Sequence, residues 1–570
     1  MREKGEHLLK RAWFLQIICL LALALSMVAC SSKEQTTDQE TAKLENMDET
    51  GVLTYGVDQK LGDKWQSGYI ENVLDAEISQ FIHEDLLVKD ENMKWKANLA
   101  SFETDDDETY VFTLKKGIKW HNGEELTMHD WKFALEVLAN PNYDGPHEHA
   151  VDNLQGVQAY QDGLAESIAG IKVIDDYKAE IKFREKRADN LEHLWLRPLP
   201  QKVLKDIPVG ELAKNKDAQQ KPVGLGPFKI VKQSDKALKL ERFDDYFKDK
   251  PRLQGIDVKY VKHGDMLQAL QDGEVDVTDI RHEELPIVQN DIDGVAVQQE
   301  KGLSYAYIGF RFGSYDVEQE QSIEDFDKFY DKKLRRAMYL ALDRESLIKD
   351  HMNGAATPLH TPIPKAFWTH TDKELDTYAF NQEKAKKLLD EAGYQDTNDD
   401  GFRETPEGEP LKITFTHYEG PNFEKRAKAI LKNWQDVGLN VALKDDKLTS
   451  YKDFENMKET DDPALELYYD ATVQTTTDPS ALWHSSSQWN TGHWYDTTAN
   501  QYLEKALQTS VTDTKGQAKT YAKWQKHFNK EVPAMILWEN QSLYAVNEKL
   551  GNIAFKPTGF KDIHKWFKTK

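Results

Sequence analysis

Cysteine is nearly absent from this chain. Of 570 residues only Cys19 and Cys30 are cysteines, both within the first thirty. The remainder therefore has no disulfide, no thiolate metal site and no cysteine nucleophile. A basic excess is also missing, with 74 Lys+Arg against 98 Asp+Glu and a net charge of −24. Nucleic acid calls for a basic footprint to neutralise phosphates, so that partner class is excluded. H-E-x-x-H, G-x-S-x-G and a Walker lysine loop are all lacking, so no enzyme signature is present. There is no internal repeat. Apart from residues 12–28, no apolar run approaches the roughly 18 residues of a membrane span. Aromatic residues are plentiful, with 14 Trp, 23 Tyr and 23 Phe. That content, with 39% hydrophobic and 30% charged residues, describes a globular body with a wet surface. The length suits several domains.

The N-terminus reads as an address. Arg2, Lys4, Lys10 and Arg11 precede the apolar stretch Ala12 to Val28, the layout of a secretory signal. It ends in Met27-Val28-Ala29-Cys30, which resembles a bacterial lipobox, with Met27 where Leu is usual. On that reading residues 1–29 are a lipoprotein signal peptide and Cys30 is the lipidated first residue of the mature chain. Several acyl chains give the firm anchoring that one chain cannot. Residues 30–47 are mostly polar and are expected to form a flexible tether.

The body alternates strand and helix patterns. Tyr110, Phe112 and Leu114 alternate with polar or smaller residues, a strand period. Thr127 and Asp130 make a capping pattern ahead of Trp131, Ala134, Leu135 and Leu138, which share one helix face. Leu334, Ala337, Met338, Ala341 and Leu342 line another, and Asp343 is placed to cap the next helix. Ala385, Leu388, Leu389 and Ala392 end at Gly393, a C-terminal stop. Ile430, Leu431, Trp434 and Val437 lead through Gly438 into Leu439, Val441 and Leu443, a helix–Gly–strand joint. This is an α/β chain.

Several segments then resemble one family. Tyr110 to Trp131, Pro222-Val-Gly-Leu-Gly-Pro-Phe, Leu270-Gln-Asp-Gly-Glu-Val-Asp-Val, Leu334 to Glu345, Lys384 to Tyr394 and Val532-Pro-Ala-Met-Ile-Leu-Trp follow in that family's order. It comprises the solute-binding proteins of ABC importers for oligopeptides, dipeptides and nickel. The lipobox and length resemble oligopeptide-binding lipoproteins of Gram-positive bacteria. The resemblance implies a two-lobed periplasmic-binding-protein-like fold of type II (cluster C), with hinge strands and an extra inserted domain. Lobe I is expected at 48–75, 220–305 and 535–570, the extra domain at 76–219 and lobe II at 306–534. It further implies a non-enzymatic monomer on the outer face of the cytoplasmic membrane. That monomer captures an oligopeptide between its lobes and passes it to membrane permease subunits served by cytoplasmic ATPases. The alternatives are the same fold binding nickel as a chelate or an oligosaccharide, and a signalling-peptide receptor.

A buried peptide backbone needs its polar groups paired, and its ammonium needs a carboxylate. In relatives that Asp stands four residues before the Pro of a D-P or E-P step. Here the step is Asp478-Pro479 and the position is Thr475, so Asp478 and Asp470 are the substitutes, with Tyr469 beside Asp470. Trp483, Trp489 and Asn490 lie in a segment resembling a cleft lining, with ordinary lobe packing as the alternative. Tyr307 and Arg311 fall on the expected hinge strand, Arg311 being suited to a peptide carboxylate or, equally, to pairing with one of the many acidic residues. Trp65 and Tyr69 follow the first strand. No cofactor is expected. Asp396, Asn398, Asp400 and Glu407 match calcium-loop spacing, with an acidic hairpin turn as the alternative.

Overall fold

The computed structural model describes residues 43–570. Cys30, the signal segment and most of the tether lie outside the described residues. Fourteen strands organise the molecule. They are β1 (Val52–Val57), β2 (Ala100–Thr104), β3 (Thr109–Leu114), β4 (Ile171–Asp175), β5 (Lys178–Lys182), β6 (Phe228–Ser234) and β7 (Ala237–Arg242). Then come β8 (Gly255–Tyr260), β9 (Val277–Asp279), β10 (Val295–Phe310), β11 (Lys412–Thr416), β12 (Asn440–Leu443), β13 (Leu467–Val473) and β14 (Ala534–Asn547).

One mixed sheet runs β12-β11-β13-β10-β14-β9-β1-β8-β7-β6 through the whole molecule, and the short strand Ala356–Pro358 also pairs with β14. Its two halves are the sheets of two lobes. In lobe I, β1 is parallel to both β8 and β9. In lobe II, β11 is parallel to β12 and β13. Only β10 and β14 serve both. Val295 of β10 pairs with Asn547 in lobe I, whereas Gly309 pairs with Ala534 in lobe II. The register shifts between Lys301 and Tyr305, where the strands pass from one lobe to the other. Gly302 lies there, and a Cβ on it would meet the Asn540 carbonyl oxygen at 2.1 Å. Such a close backbone approach admits only glycine.

A separate sheet, β2-β3-β5-β4, forms the inserted unit. Its core includes Tyr110, Phe112, Leu114 and Trp131. The expected capping box is present: the Thr127 N–H donates to Asp130 Oδ2 at 2.9 Å and opens the helix Met128–Leu138. Lobe I packs both faces of its sheet, one around Phe81, Ile256 and Trp566 and the other around Leu270, Val275 and Ala545. Lobe II packs its helices on Phe415, Trp434 and Trp538. The Asp343 carboxylate accepts from Ser346 N–H and caps Arg344–Met352. Gly393 ends Gln382–Ala392 at φ +91.

Lys89 joins all three units. Its carbonyl accepts from Lys556 Nζ of lobe I at 3.1 Å. Its own Nζ pairs with Glu192 of the inserted unit and donates to the Thr475 carbonyl of lobe II at 2.8 Å. Among the described residues no helix is long and apolar enough to cross a membrane.

The Trp434 indole is fully buried and donates to the Met338 carbonyl at 3.0 Å. Trp434→Ala is expected to lower the unfolding free energy by ~3–5 kcal/mol in urea titration. A loss below ~1 kcal/mol would show that lobe II collapses around the cavity.

Candidate functional site

In open α/β sheets, ligands bind beyond the carboxyl ends of the parallel strands. Here both sets of carboxyl ends point at the middle of β10 and β14. In lobe I, β9 runs antiparallel to β14 and ends at Asp279 beside Tyr544. In lobe II, β13 runs antiparallel to β10 and ends at Val473 beside Ser304. β11, parallel to β13, ends at Thr416 and leads into His417 and Tyr418. The gap between the lobes is therefore flanked by two walls.

The lobe I wall is acidic. The Tyr55 hydroxyl sits between Asp279 Oδ1 at 3.2 Å and Glu77 Oε1 at 3.5 Å. Neither carboxylate joins an ion pair among the described residues. Loss of water around Glu77, then the charge of Asp279, lifts the Glu77 carboxyl well above the usual range. Asp279 is lifted chiefly by the same loss of water. Tyr544 stacks on Phe555 alongside, with ring centroids 3.5 Å apart.

The lobe II wall is aromatic around a cation. His417 stacks on Tyr469 at 4.4 Å, and its Nδ1 bonds the Tyr418 carbonyl at 2.8 Å. Its Nε2 accepts from Arg426 Nε at 3.2 Å, so the ring is neutral. Burial, then the Arg426 charge, hold the imidazole down to about 3. Tyr418 packs against Tyr451, Phe454 and Phe423. On β13, Asp470 is buried and accepts from Lys458 Nζ and from the Tyr307 hydroxyl, each at 3.2 Å. Burial lifts its carboxyl, and the Lys458 charge opposes that.

Of the residues singled out from sequence, Tyr307, Tyr469 and Asp470 come together on this wall. Asp470 already has an ammonium partner in Lys458. Asp478 lies elsewhere, beside a 130 Å³ cavity between lobe II and the inserted unit that Asp189, Trp95 and Tyr521 also line. Burial lifts its carboxyl to about 6. Trp483 is a core residue whose Nε1 donates to the Tyr305 hydroxyl at 3.0 Å. Asn490 is buried and closes its own loop onto the Trp494 carbonyl at 2.9 Å, while Trp489 is 62% exposed. Arg311 is held by Asp461 at 2.8 Å, so it is not free for a peptide carboxylate. Trp65 and Tyr69 are fully buried, in the lobe I core and the core of the inserted unit.

The calcium-spaced loop is closed by its own hydrogen bonds. Asp396 accepts from Gly401 N–H, and Asn398 from Asp400 N–H. Glu404, buried, takes the Asn398 amide and the Thr397 hydroxyl. Glu407, which the spacing assigns as the last ligand, is exposed. No group of three or more His, Cys, Asp or Glu able to hold a metal occurs among the described residues. The arrangement is that of an acidic hairpin turn, the alternative that the sequence offered.

Glu77, Asp279, His417, Tyr418, Arg426 and Lys458 were not singled out from the sequence. Two were within reach of it, since Asp279 and His417 stand at the ends of strand-patterned runs. A 590 Å³ cavity lies between lobe I and the inserted unit. Its walls carry internally paired charges such as Arg197–Asp85 and Lys561–Glu91.

Two lobes sharing a pair of through-running strands, with the strand ends of both converging on that pair, define the two-lobed fold of a binding protein. The chain belongs to the bacterial extracellular solute-binding proteins, family 5, whose profile matches residues 94–494. It is accordingly a binding protein and not an enzyme. The oligopeptide-binding protein AppA of Bacillus subtilis (strain 168) is 25% identical over 574 residues, covering 98% of this chain and 99% of AppA. The structure of that AppA in complex with a nonapeptide superposes with a TM-score of 0.64 at 24% identity, over 92% of this chain and 100% of that one. Lactococcal OppA, complexed with an endogenous peptide in the closed conformation, gives 0.68 at 22% identity, over 90% and 99%. The expected two-lobed fold is thus met.

Two outcomes test the walls. Lys458→Met leaves the Asp470 charge buried without its partner and is expected to cost ~3–5 kcal/mol in denaturant titration, with Asp470→Asn added to it restoring most of the loss. A raised acid binds more protons folded than unfolded, so its contribution to stability falls as pH rises above the ordinary carboxylate range. Glu77→Gln should therefore stabilise the fold by on the order of 1–3 kcal/mol at about pH 8 and change little at about pH 4. Equal effects at both pH values would rule out the raised carboxyl.

Proposed function

We propose that this protein is the lipid-anchored substrate-binding subunit of an ABC importer and that it captures oligopeptides. The supporting observation is the convergence of both lobes' strand ends on β10 and β14, in a chain whose relatives are named for oligopeptide binding. Lobe I (48–75, 220–305 and 535–570, with Glu77 and Phe81 packed onto it) and lobe II (306–534) are the moving bodies, with the rest of 76–219 carried as the extra domain. A peptide enters the open gap and bridges the two walls. Contacts made only when the lobes meet favour the closed form, and closure goes no further than those contacts differ between states. The closed monomer then docks on membrane permease subunits, and cytoplasmic ATPases drive release. Cys30 holds the chain at the outer face of the cytoplasmic membrane, with residues 30–47 as the tether. No cofactor takes part.

Native mass spectrometry of protein purified from cells grown in peptide-rich medium tests this reading. A ladder of heterogeneous peptide masses is the expected result, and one sharp peptide mass would indicate a signalling ligand. A metal-sized or hexose-spaced increment, with no peptide bound in calorimetry, would overturn the peptide assignment. Labelling with radioactive palmitate should be lost in Cys30→Ala if the anchor is as proposed.

A further inference from the structure

Four arginines have at most 5% of their surface exposed: Arg311, Arg335, Arg344 and Arg426. Three are fully engaged inside the protein. Arg311 has Asp461. Arg335 donates to the carbonyls of Phe329, Tyr330, Glu531 and Val532. Arg344 donates to those of Leu359, Thr377, Ile536 and Leu537.

Arg426 is different. Its Nε reaches only a neutral imidazole, His417 Nε2. Its Nη2 is buried and has no hydrogen-bond partner, and it joins no ion pair among the described residues. Phe423 and Tyr469 cover the guanidinium, with their ring centroids at 3.8 and 4.3 Å. Aromatic faces steady a cation without satisfying its N–H groups. The Nη2 N–H groups thus stay unsatisfied, and a guanidinium edge donates two parallel hydrogen bonds to a carboxylate that reaches it. A buried charge without a counter-ion is disfavoured unless something supplies one.

The position says where that partner comes from. Arg426 lies on the helix Phe423–Gln435, next to the end of β11 on the lobe II wall. His282 of lobe I is close enough that the Arg426 charge, after burial, helps to lower its imidazole. The lobes touch beside it, where Asn353 Nδ2 donates to the His282 carbonyl at 2.8 Å. The other charged groups around this spot are Lys425, Asp350 and His351 of lobe II and Glu283 of lobe I. Glu283 lies 3.3 Å from His282 Nδ1.

We propose that Arg426 is the receptor for a ligand carboxylate, supplied by the C-terminus of a bound peptide or by an Asp or Glu side chain. This rests on the peptide reading above and makes Arg426 a specificity-determining residue of the cleft.

Calorimetry with three synthetic forms of one Ala/Val/Ser octapeptide tests it: the free acid, the C-terminal amide, and an amide carrying one Glu. Wild-type protein is expected to bind the amide at least about tenfold more weakly than the better of the two carboxylate forms. Which form wins identifies the source of the carboxylate. In Arg426→Met the three forms should bind alike, with no large fall in Tm because no acid partner is left behind. If that variant does not fold, Arg426→Lys keeps the charge, lacks the planar fork, and should lose most of the discrimination. A wild-type preference retained in these variants overturns the proposal. So does loss of the preference in Glu283→Gln, which would make Glu283 the partner on closure. Equal binding of all forms by wild type defeats this proposal alone, and no binding of any form defeats the peptide reading with it.

Discussion

The antiparallel pairing of β10 with β14 is the constraint on which the rest of the molecule depends. These are the two strands that belong to both lobes, so the lobes share one hydrogen-bonded sheet. Relative motion must be absorbed as twist or bend within the pair, and its weak point is the shift between Lys301 and Tyr305. Gly302 stands there against the Asn540 carbonyl because no side chain fits. The same pairing fixes the walls. β9 is registered against β14, and β13 against β10, so Asp279 and Asp470 are indexed to the hinge itself.

The walls differ in how their charges are balanced. Asp470 is neutralised from within by Lys458, whereas the Glu77 and Asp279 carboxyls have only the Tyr55 hydroxyl between them. Lobe II encloses its remaining cation in aromatic rings and a neutral histidine. A low-dielectric setting strengthens any charge that arrives and penalises any that stays unpaired. Lobe I thus keeps two carboxyls without an ion-pair partner, and lobe II one guanidinium, at the strand ends that converge on the β10–β14 pair.

Local pattern was readable where a single element determined it. The alternation of Tyr110, Phe112 and Leu114, the Thr127–Asp130 capping box and the stop at Gly393 are all set by neighbouring residues, and all appear as expected. The site was harder because its members are far apart in the chain. Glu77 and Asp279 meet only through β1 and β9, and Lys458 reaches Asp470 from a different element. Density of aromatics could not decide Trp483, since a tryptophan that packs a core and one that lines a cleft look alike in sequence. The calcium spacing was right in number, yet Glu404 rather than Glu407 faces the loop, because the chain turns into a hairpin after Arg403.

Lys89 adds one more consequence. One residue of the inserted unit is gripped by lobe I through its carbonyl and grips lobe II through its ammonium, at the Thr475 carbonyl. Such a bond is worth on the order of 1–3 kcal/mol, since its donor is charged. The same unit also meets lobe II where Trp368 N–H donates to the Asn92 carbonyl, Ala188 N–H to the Leu507 carbonyl, and Ser510 and Val511 to Asp107. Any swing of lobe II away from the inserted unit therefore exchanges this whole set of bonds for water.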